Sequence, residues 1–111
     1  MPALSDRTFE TCNENDPPMS AQECNELLRQ LPGWEVVNAD NADRLIRTYT
    51  FNNFIEAMAF TQKAADLAEA EGHHPSLLTE WGKVTVSWWT HMIGGLHIND
   101  FIMAAKTDKL L

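Results

Sequence analysis

A chain of 111 residues with 44% hydrophobic and 22% charged residues has the size and composition of one globular domain with a single core. Its net charge of −8 argues against nucleic acid or an anionic membrane surface as a partner, because both require a basic face. Cys12 and Cys24 form no CxxC pair, and neither a secretory leader nor a membrane span is visible, so we predict a cytoplasmic protein without disulfides or a zinc ribbon.

The first predicted helix follows a polar N-terminal segment. Residues 1–19 end in polar residues and a proline pair, and a loose lead-in is expected there. Ser20 and Glu23 have the spacing of a capping box, which predicts a helix start. The apolar residues behind it recur at helical spacing: Cys24, Leu27, Leu28 and Leu31. Pro32 and Gly33 are predicted to end this helix.

A β-hairpin is predicted after the first helix. Residues 34–37 form a short extended segment, and residues 38–43 form a polar turn. Residues 44–51 are rich in β-branched and aromatic side chains, which favours a second strand.

The longest predicted element is a helix over Phe54–Glu71, which contains no proline or glycine and much alanine. Asn52 or Asn53 can cap its start, and Gly72 is the natural residue to end it. Its predicted buried stripe consists of Phe54, Ala57, Met58, Thr61, Ala64, Ala65 and Ala68.

Two more strands and a helix are predicted in the last third of the chain. Residues 77–81 and 84–90 read as strands joined by a Gly-Lys turn, and the second strand alternates clearly. One side of that strand carries Val84, Val86 and Trp88, and the other carries Thr85, Ser87, Trp89 and then His91. The last helix begins near His97, which occupies the N-cap position, and carries apolar residues at helical spacing.

The predicted order of elements is α-β-β-α-β-β-α. Short connections favour antiparallel hairpins, so the expected fold class is α+β, with a four-stranded antiparallel sheet and helices packed on one face. The other face of the sheet is expected to be open. Residues 20–111 are predicted to form a single domain behind the lead-in at residues 1–19.

Three histidines and two carboxylates lie at the ends of predicted elements, which meet at one edge of such a sheet. Glu69 is in the last turn of the long helix, His73 and His74 follow it, His91 follows the last strand, and Asp100 begins the last helix. Imidazole exchanges protons near neutral pH, and a neighbouring carboxylate fixes its tautomer. The cluster therefore predicts a site for proton transfer.

A metal site is the alternative interpretation of these residues, and it is disfavoured. Pro75 pushes His74 towards extended backbone, where successive side chains diverge, so His73 and His74 are not expected to bind one ion. Both acids could also have purely structural roles, because Asp100 can interact favourably with the helix dipole and Glu69 can be a solvated helix carboxylate.

The spacing of seven residues resembles the signature of the pterin-4a-carbinolamine dehydratase family: Glu69, His73, His74, Pro75, Trp81, His91 and Asp100. The segment EGHHPSLLTEWGKVTVSWWTH, residues 71–91, is similar to the bacterial branch of that family. The resemblance extends over residues 20–107 and departs from the family at no key position of the motif.

The resemblance implies dehydration of 4a-hydroxytetrahydrobiopterin to quinonoid dihydropterin and water, in the recycling of tetrahydropterin for aromatic amino-acid hydroxylation. It implies that His73 and His91 flank the 4a position as acid and base, in either order. His74 would position the pterin and assist proton transfer. No metal and no organic cofactor are implied.

The resemblance also implies roles for three supporting residues. Asp100 would orient a histidine or bind the ring, and Glu69 would hold the cluster electrostatically. Trp34 matches a tryptophan of the family's cleft and would stack on the flat ring.

Two other functions and the question of partners stay open at this stage. The chain could be a regulatory or binding module, since animal relatives also bind a homeodomain transcription factor, or it could dehydrate a related pterin, such as one of molybdopterin metabolism. Phenylalanine hydroxylase is a candidate partner. A homo-oligomer, dimer or tetramer, is expected from the relatives, from an exposed sheet edge and from the apolar residues of the last helix, Ile98, Phe101 and Ile102.

Overall fold

The fold is described by a computed structural model that covers residues 4–10 and 12–111; the lead-in predicted at residues 1–3 and at residue 11 lies outside the described residues. The strands are β1 (Glu35–Ala39), β2 (Ala42–Thr50), β3 (Ser76–Glu80) and β4 (Lys83–Trp88). The helices are α1 (Ala21–Leu28), α2 (Phe54–Glu71) and α3 (Ile98–Asp108), with short 3-10 turns at Leu4–Asp6 and His91–Ile93. The predicted order of helices and strands is confirmed.

The four strands form one antiparallel sheet in the order β1-β2-β4-β3. Its inner face contributes the buried side chains Leu45, Tyr49, Val84, Val86 and Trp88. Helices α2 and α3 contact the sheet, whereas Leu78, which alternates to the other face of β3, is 57% exposed. The predicted α+β fold with helices on one face is confirmed.

The turn between β1 and β2 is tighter than predicted. Asp40 and Asn41 both have positive φ angles, 51° and 65°, which is the conformation of a two-residue hairpin turn. Strand pairing therefore continues through Asn38 and Asp43, whose side chains share a hydrogen bond of 3.1 Å. The prediction of a six-residue turn was wrong, because polar residues at a hairpin end can pair as well as loop out.

Helix α2 has the predicted ends but a different buried stripe. The Asn53 side chain accepts a hydrogen bond from the Glu56 N–H, and Gly72 ends the helix with a φ of 67°. The buried residues are Ala57, Phe60, Ala64 and Ala68. Phe54 and Met58 are each 46% exposed, contrary to the prediction. The helix presents its small alanines to the sheet, and Phe60 fills the remaining space against Tyr49 and Phe51.

Helix α3 has more buried residues than either of the other two described α-helices. His97 caps its start as predicted, because the His97 Nδ1 accepts from the Asn99 N–H. Phe101 and Ile102 are fully buried within the single chain. The suggestion that they form a surface for self-association was therefore wrong, since the fold itself covers them.

The described part of the N-terminal segment is packed rather than loose. Leu4 is 4% exposed and belongs to the hydrophobic core. The backbone of Glu10 is bonded to the Asn99 side chain, and the Met19 N–H donates to the Leu96 carbonyl at 2.8 Å. This segment thus lies along α3 and the loop before it. No helix in the described part of the chain is long and apolar enough to span a membrane.

Candidate active site

A cavity of about 340 Å³ lies between the C-terminal ends of α2 and β4 and the N-terminal end of α3. It is lined by Phe9, Cys12, Gly72, His73, His74, Thr90, His91, Met92 and Asn99. Its volume falls in the range of small-molecule sites. The structure therefore brings the three predicted histidines to one pocket.

The histidines reach the pocket because the chain changes direction after α2 and after β4. Gly72 adopts the left-handed conformation, and the His73 N–H donates back to the Ala68 carbonyl at 3.2 Å, so the chain leaves α2 directly into the pocket. On the other side, strand β4 ends at Trp88, two residues earlier than predicted. Thr90 instead pairs with Gly95, which closes the loop that carries the 3-10 turn His91–Ile93.

His73 is held by a buried carboxylate. Its Nε2 lies 2.6 Å from the Asp100 Oδ1, and Asp100 is fully buried. The other oxygen of Asp100 accepts hydrogen bonds from the Thr90 hydroxyl and the His97 N–H, at 2.8 and 3.0 Å. An ionised Asp100 can only accept a hydrogen bond, so the Nε2–H of His73 donates to it and Nδ1 is the ring nitrogen left for proton exchange.

Two aromatic rings also contact the His73 ring. Trp88 stacks on it at a centroid distance of 5.5 Å, and Phe9 meets it edge-on at 5.8 Å. Together with Asp100, these contacts leave the imidazole little freedom to rotate.

His74 has a different and more open environment. Its Nε2 lies 2.8 Å from the Glu69 Oε1, and both side chains are mostly exposed. An exposed contact of this kind holds a side chain weakly. The two adjacent histidines thus have separate carboxylate partners, which is the divergence expected from the proline that follows them.

His91 is exposed and packs against an aromatic side chain. The Trp89 ring lies 4.4 Å from the imidazole, and the guanidinium of Arg44 lies 3.9 Å over the Trp89 ring. Asp40 bonds Arg44 at 3.1 Å. No side-chain hydrogen bond to His91 occurs within the described residues. Trp89 was predicted to share a face with His91, whereas Arg44 was missed because its approach depends on the pairing of β2 with β4.

Comparison with known proteins identifies the family. The family model described as Pterin 4 alpha carbinolamine dehydratase matches residues 17–110. The chain belongs to the pterin-4-alpha-carbinolamine dehydratase family. This is a family of hydro-lyases, and the resemblance noted in the sequence is confirmed.

Individual relatives agree with this membership. The chain is 56% identical over 100 residues to a protein of Chlorobium luteolum whose name places it in the same family, covering 90% of this chain and 88% of the relative. A protein of Marinobacter nauticus that bears the same name is 52% identical over 110 residues, which is 99% of each chain. A crystal structure from Brucella melitensis, titled transcriptional coactivator/pterin dehydratase, superimposes with a TM-score of 0.76 at 32% identity, over 84% of this chain and 97% of that one.

Trp34 lies away from the pocket of this dehydratase-family chain. It is 6% exposed, and its indole N–H donates to both oxygens of Asp108 at 3.1 Å. Asp108 is at the end of α3 opposite to Asp100, about 12 Å along the helix. The structure therefore does not bring Trp34 together with the histidines, because a contact between residues 74 apart in sequence draws it into the core.

Six residues that line the pocket of the dehydratase-family chain were not among the predicted site residues: Phe9, Cys12, Gly72, Thr90, Met92 and Asn99. Phe9 and Cys12 belong to the segment that was expected to be loose, and no periodicity or motif marks them. Burial, assisted by the charges of Asp16 and Asp100, raises the pKa of the Cys12 thiol above its ordinary value of 9.0. The thiol is therefore neutral near pH 7 and is a weak nucleophile.

One group of potential metal ligands combines the pocket residue Cys12 with two residues outside the pocket lining. Within the described part of the chain, the side chains of Cys12, Asp16 and His97 have ligand atoms within 4.8 Å of one another. The His97 Nδ1 already accepts the Asn99 N–H, so Nε2 holds the proton of the neutral ring. A neutral thiol and a protonated Nε2 both disfavour binding of a cation at this point.

Proposed function

We propose that this chain dehydrates 4a-hydroxytetrahydrobiopterin, a pterin-4a-carbinolamine, to quinonoid dihydropterin and water by histidine general acid/base catalysis. The observation that carries the proposal is the convergence of His73, His74 and His91 on one cavity in a member of this family. The reaction would serve the recycling of tetrahydropterin for aromatic amino-acid hydroxylation.

The chemistry requires one acid and one base. Hydroxide is a poor leaving group, so an acid must protonate the 4a oxygen as the C–O bond breaks, and a base must take the N5 proton. Imidazole performs both tasks near neutral pH, and each such transfer is worth roughly 10²- to 10⁴-fold in rate. His73 and His91 are the proposed pair, in either order, because they reach the cavity from different elements.

The remaining polar residues support this pair. Asp100 sets the tautomer of His73 through the 2.6 Å contact, and His74 helps to position the pterin from the open side of the cavity. Glu69 orients His74 from the solvent-exposed end of α2. This division assigns the two proton transfers to His73 and His91 and the orientation of the substrate to His74.

The test follows the decay of freshly generated 4a-hydroxytetrahydrobiopterin by absorbance, above its spontaneous rate. We expect His73→Ala and His91→Ala each to lower kcat by roughly 10²- to 10⁴-fold. His97→Asn is the matched control, because an asparagine side chain at this position would still cap α3 and the fourth histidine takes no part in the reaction. Unchanged rates in both active-site variants would show that the proposed mechanism is wrong.

A dehydratase acting on a related pterin is the nearest alternative, since the cavity is compatible with any substrate that shares the pterin head. Rates on pterins with different C6 side chains separate the two. A fast reaction with a molybdopterin-type precursor and a slow one with the biopterin compound would reassign the substrate but keep the chemistry.

A partner-binding role is a second candidate. The Brucella melitensis relative is titled a transcriptional coactivator, and Phe54, Ile55 and Met58 expose apolar side chains on α2. We propose that this helix surface serves self-association, as a dimer or tetramer, or contact with a hydroxylase such as phenylalanine hydroxylase. Light scattering of the unaltered chain and of Ile55→Glu tests the first, and calorimetric titration with the hydroxylase tests the second.

A further inference from the structure

The N-terminal segment, residues 4–19 without residue 11, precedes nearly all of the region that the family model matches, which begins at residue 17. It is nevertheless anchored to the fold at three places. The first anchor is Leu4, which is 4% exposed and packs with its 3-10 turn against α3 near Ala105 and Asp108. This end of the segment is remote from the histidines.

The second anchor lies beside the cavity. The Glu10 N–H donates to the Asn99 Oδ1, and the Asn99 Nδ2 donates to the Glu10 carbonyl, both at 2.9 Å. Asn99 is buried, so these two hydrogen bonds tie the segment to the first turn of α3 with little competition from water.

The third anchor closes the segment onto the loop that carries His91. The Met19 N–H donates to the Leu96 carbonyl, and Pro18 lies so close to Gly95 that a Cβ at position 95 would be 2.8 Å from the Pro18 Cβ. Only glycine leaves room for this approach.

Between these anchors the segment contributes Phe9 and Cys12 to the cavity lining. The Phe9 ring meets the His73 imidazole edge-on at 5.8 Å, and the neutral Cys12 thiol adds a second weakly polar surface. The other lining residues are Gly72, Thr90, Met92, Asn99 and three histidines, so Phe9 and Met92 are the large apolar side chains that the described lining offers to a flat ring.

We propose that the N-terminal segment is a wall of the reaction pocket and that Phe9 is a specificity-determining residue that contacts the pterin. This inference rests on the proposed function and extends it, because it assigns substrate recognition to residues that precede the matched family region. Phe9 contributes to binding of the ring and to its placement against His73, while the acid and base remain on the domain.

The first experiment compares Phe9→Ala with the unaltered chain. We expect KM for the carbinolamine, and Kd for a dihydropterin that lacks the 4a hydroxyl, to rise roughly 2- to 12-fold, the value of one aromatic contact, with kcat changed less than KM. Phe9→Tyr keeps the ring and is expected to restore both constants. Calorimetric titration supplies Kd without turnover.

The second experiment tests whether the segment acts as a unit. Leu4→Ala removes the remote anchor and is expected to raise the same Kd, although Leu4 does not line the cavity. Leu111→Ala, at an exposed leucine, is the control for loss of an apolar side chain and is expected to change nothing. The double variant Leu4→Ala/Phe9→Ala is expected to bind no more weakly than Phe9→Ala alone, because Leu4 acts through Phe9.

The outcomes are distinguishable. If the unaltered chain neither binds a dihydropterin nor dehydrates the carbinolamine, the proposed function fails and this inference fails with it. If the unaltered chain binds a dihydropterin and dehydrates the carbinolamine, and Phe9→Ala shows the same Kd and KM, the proposed function stands. The proposed role of Phe9 and the N-terminal segment in substrate binding is then wrong. A fall in kcat at unchanged KM and Kd, or additive effects of the two substitutions, would equally contradict the inference.

Discussion

The contact between His73 and Asp100 is the most constrained feature of the candidate site. A fully buried carboxylate accepts from the imidazole, from the Thr90 hydroxyl and from the His97 backbone, so its orientation is set by three independent donors. The same residue completes the capping box of α3. Asp100 therefore serves the helix and the proposed chemistry at once, and the two interpretations of this acid made from the sequence are both compatible with its place.

Asp100→Asn separates these roles. Asn keeps the size of the side chain and can still accept at the helix start, but its amide cannot replace a carboxylate that fixes the His73 tautomer. We expect kcat to fall at least roughly tenfold while the chain stays folded. Absorbance kinetics and circular dichroism measure the two effects.

The matched control for Asp100→Asn is Glu69→Gln, which makes the same chemical change beside His74. Both partners of that pair are mostly exposed and weakly coupled, so a smaller effect on kcat is expected. Equal losses of kcat in the two variants would contradict the proposal that the buried Asp100 carboxylate matters more to the reaction than the exposed Glu69.

At the residue scale, local spacing was informative and distant packing was not. Glu69, His73 and His74 lie within six residues of one another at the end of α2, so their proximity could be predicted from the sequence alone. Trp34 meets Asp108 across 74 residues, and Phe9 meets His73 across 64, so neither contact has a local signal. The family resemblance implied that Trp34 stacks on the substrate, whereas in the structure Trp34 is buried in the core.

Among the elements, the start of α1 and both ends of α2 were predictable, and the inner faces were less so. Helix α1 ends at Leu28, before the predicted stop at Pro32 and Gly33. Asn53 and Gly72 are specialised capping residues, and both act where the sequence places them. The stripe of α2 was rotated in the prediction, because an alanine-rich helix offers little contrast between its faces. The end of β4 was misplaced for a different reason: Thr90 bonds to Gly95 rather than to a neighbouring strand, and this bridge depends on the loop that follows.

Gly72 is the element-scale position with the clearest energetic consequence. Its φ of 67° is unfavourable for a residue with a Cβ, although nothing lies within 4 Å of a Cβ built there. Gly72→Ala is therefore expected to destabilise the fold by about 1–2 kcal/mol through the backbone alone. Urea unfolding followed by circular dichroism measures the change.

Gly72→Asn tests whether the left-handed conformation is the cause. Asn also adds a Cβ but adopts this conformation more readily, so its cost is expected to be smaller than that of Ala. Equal costs would contradict the left-handed conformation as the cause.

On the scale of the whole molecule, both ends of α3 are joined to distant parts of the chain. Asp100 joins its start to His73 and the loop before the helix, and Asp108 joins its end to Trp34, Arg47 and Tyr49. The helix thus aligns the pocket with the sheet. This placement explains why the apolar residues of α3 are internal, although from sequence they looked available for self-association.

Trp34, Arg47 and Tyr49 form a cluster around Asp108, and the hydroxyl of Tyr49 donates to Asp108. Burial, with the Asp108 hydrogen bond and charge, raises the pKa of Tyr49 well above its ordinary value of 10.0. The folded chain therefore keeps this proton at pH values where the unfolded chain releases it. The resulting stabilisation is fully present below about pH 10 and is lost as the pH rises further towards the folded-state pKa.

Tyr49→Phe removes both the titrating group and its bond to Asp108. We expect the variant to be less stable than the unaltered chain at pH 8, because Asp108 loses a donor. We also expect the difference between the two free energies of unfolding to shrink between pH 9 and pH 11, since only the unaltered chain loses the Tyr49 contribution there. Urea unfolding across this range measures both curves. Parallel curves would mean that Tyr49 titrates alike in the folded and unfolded chains, and that the cluster around Asp108 does not hold its proton.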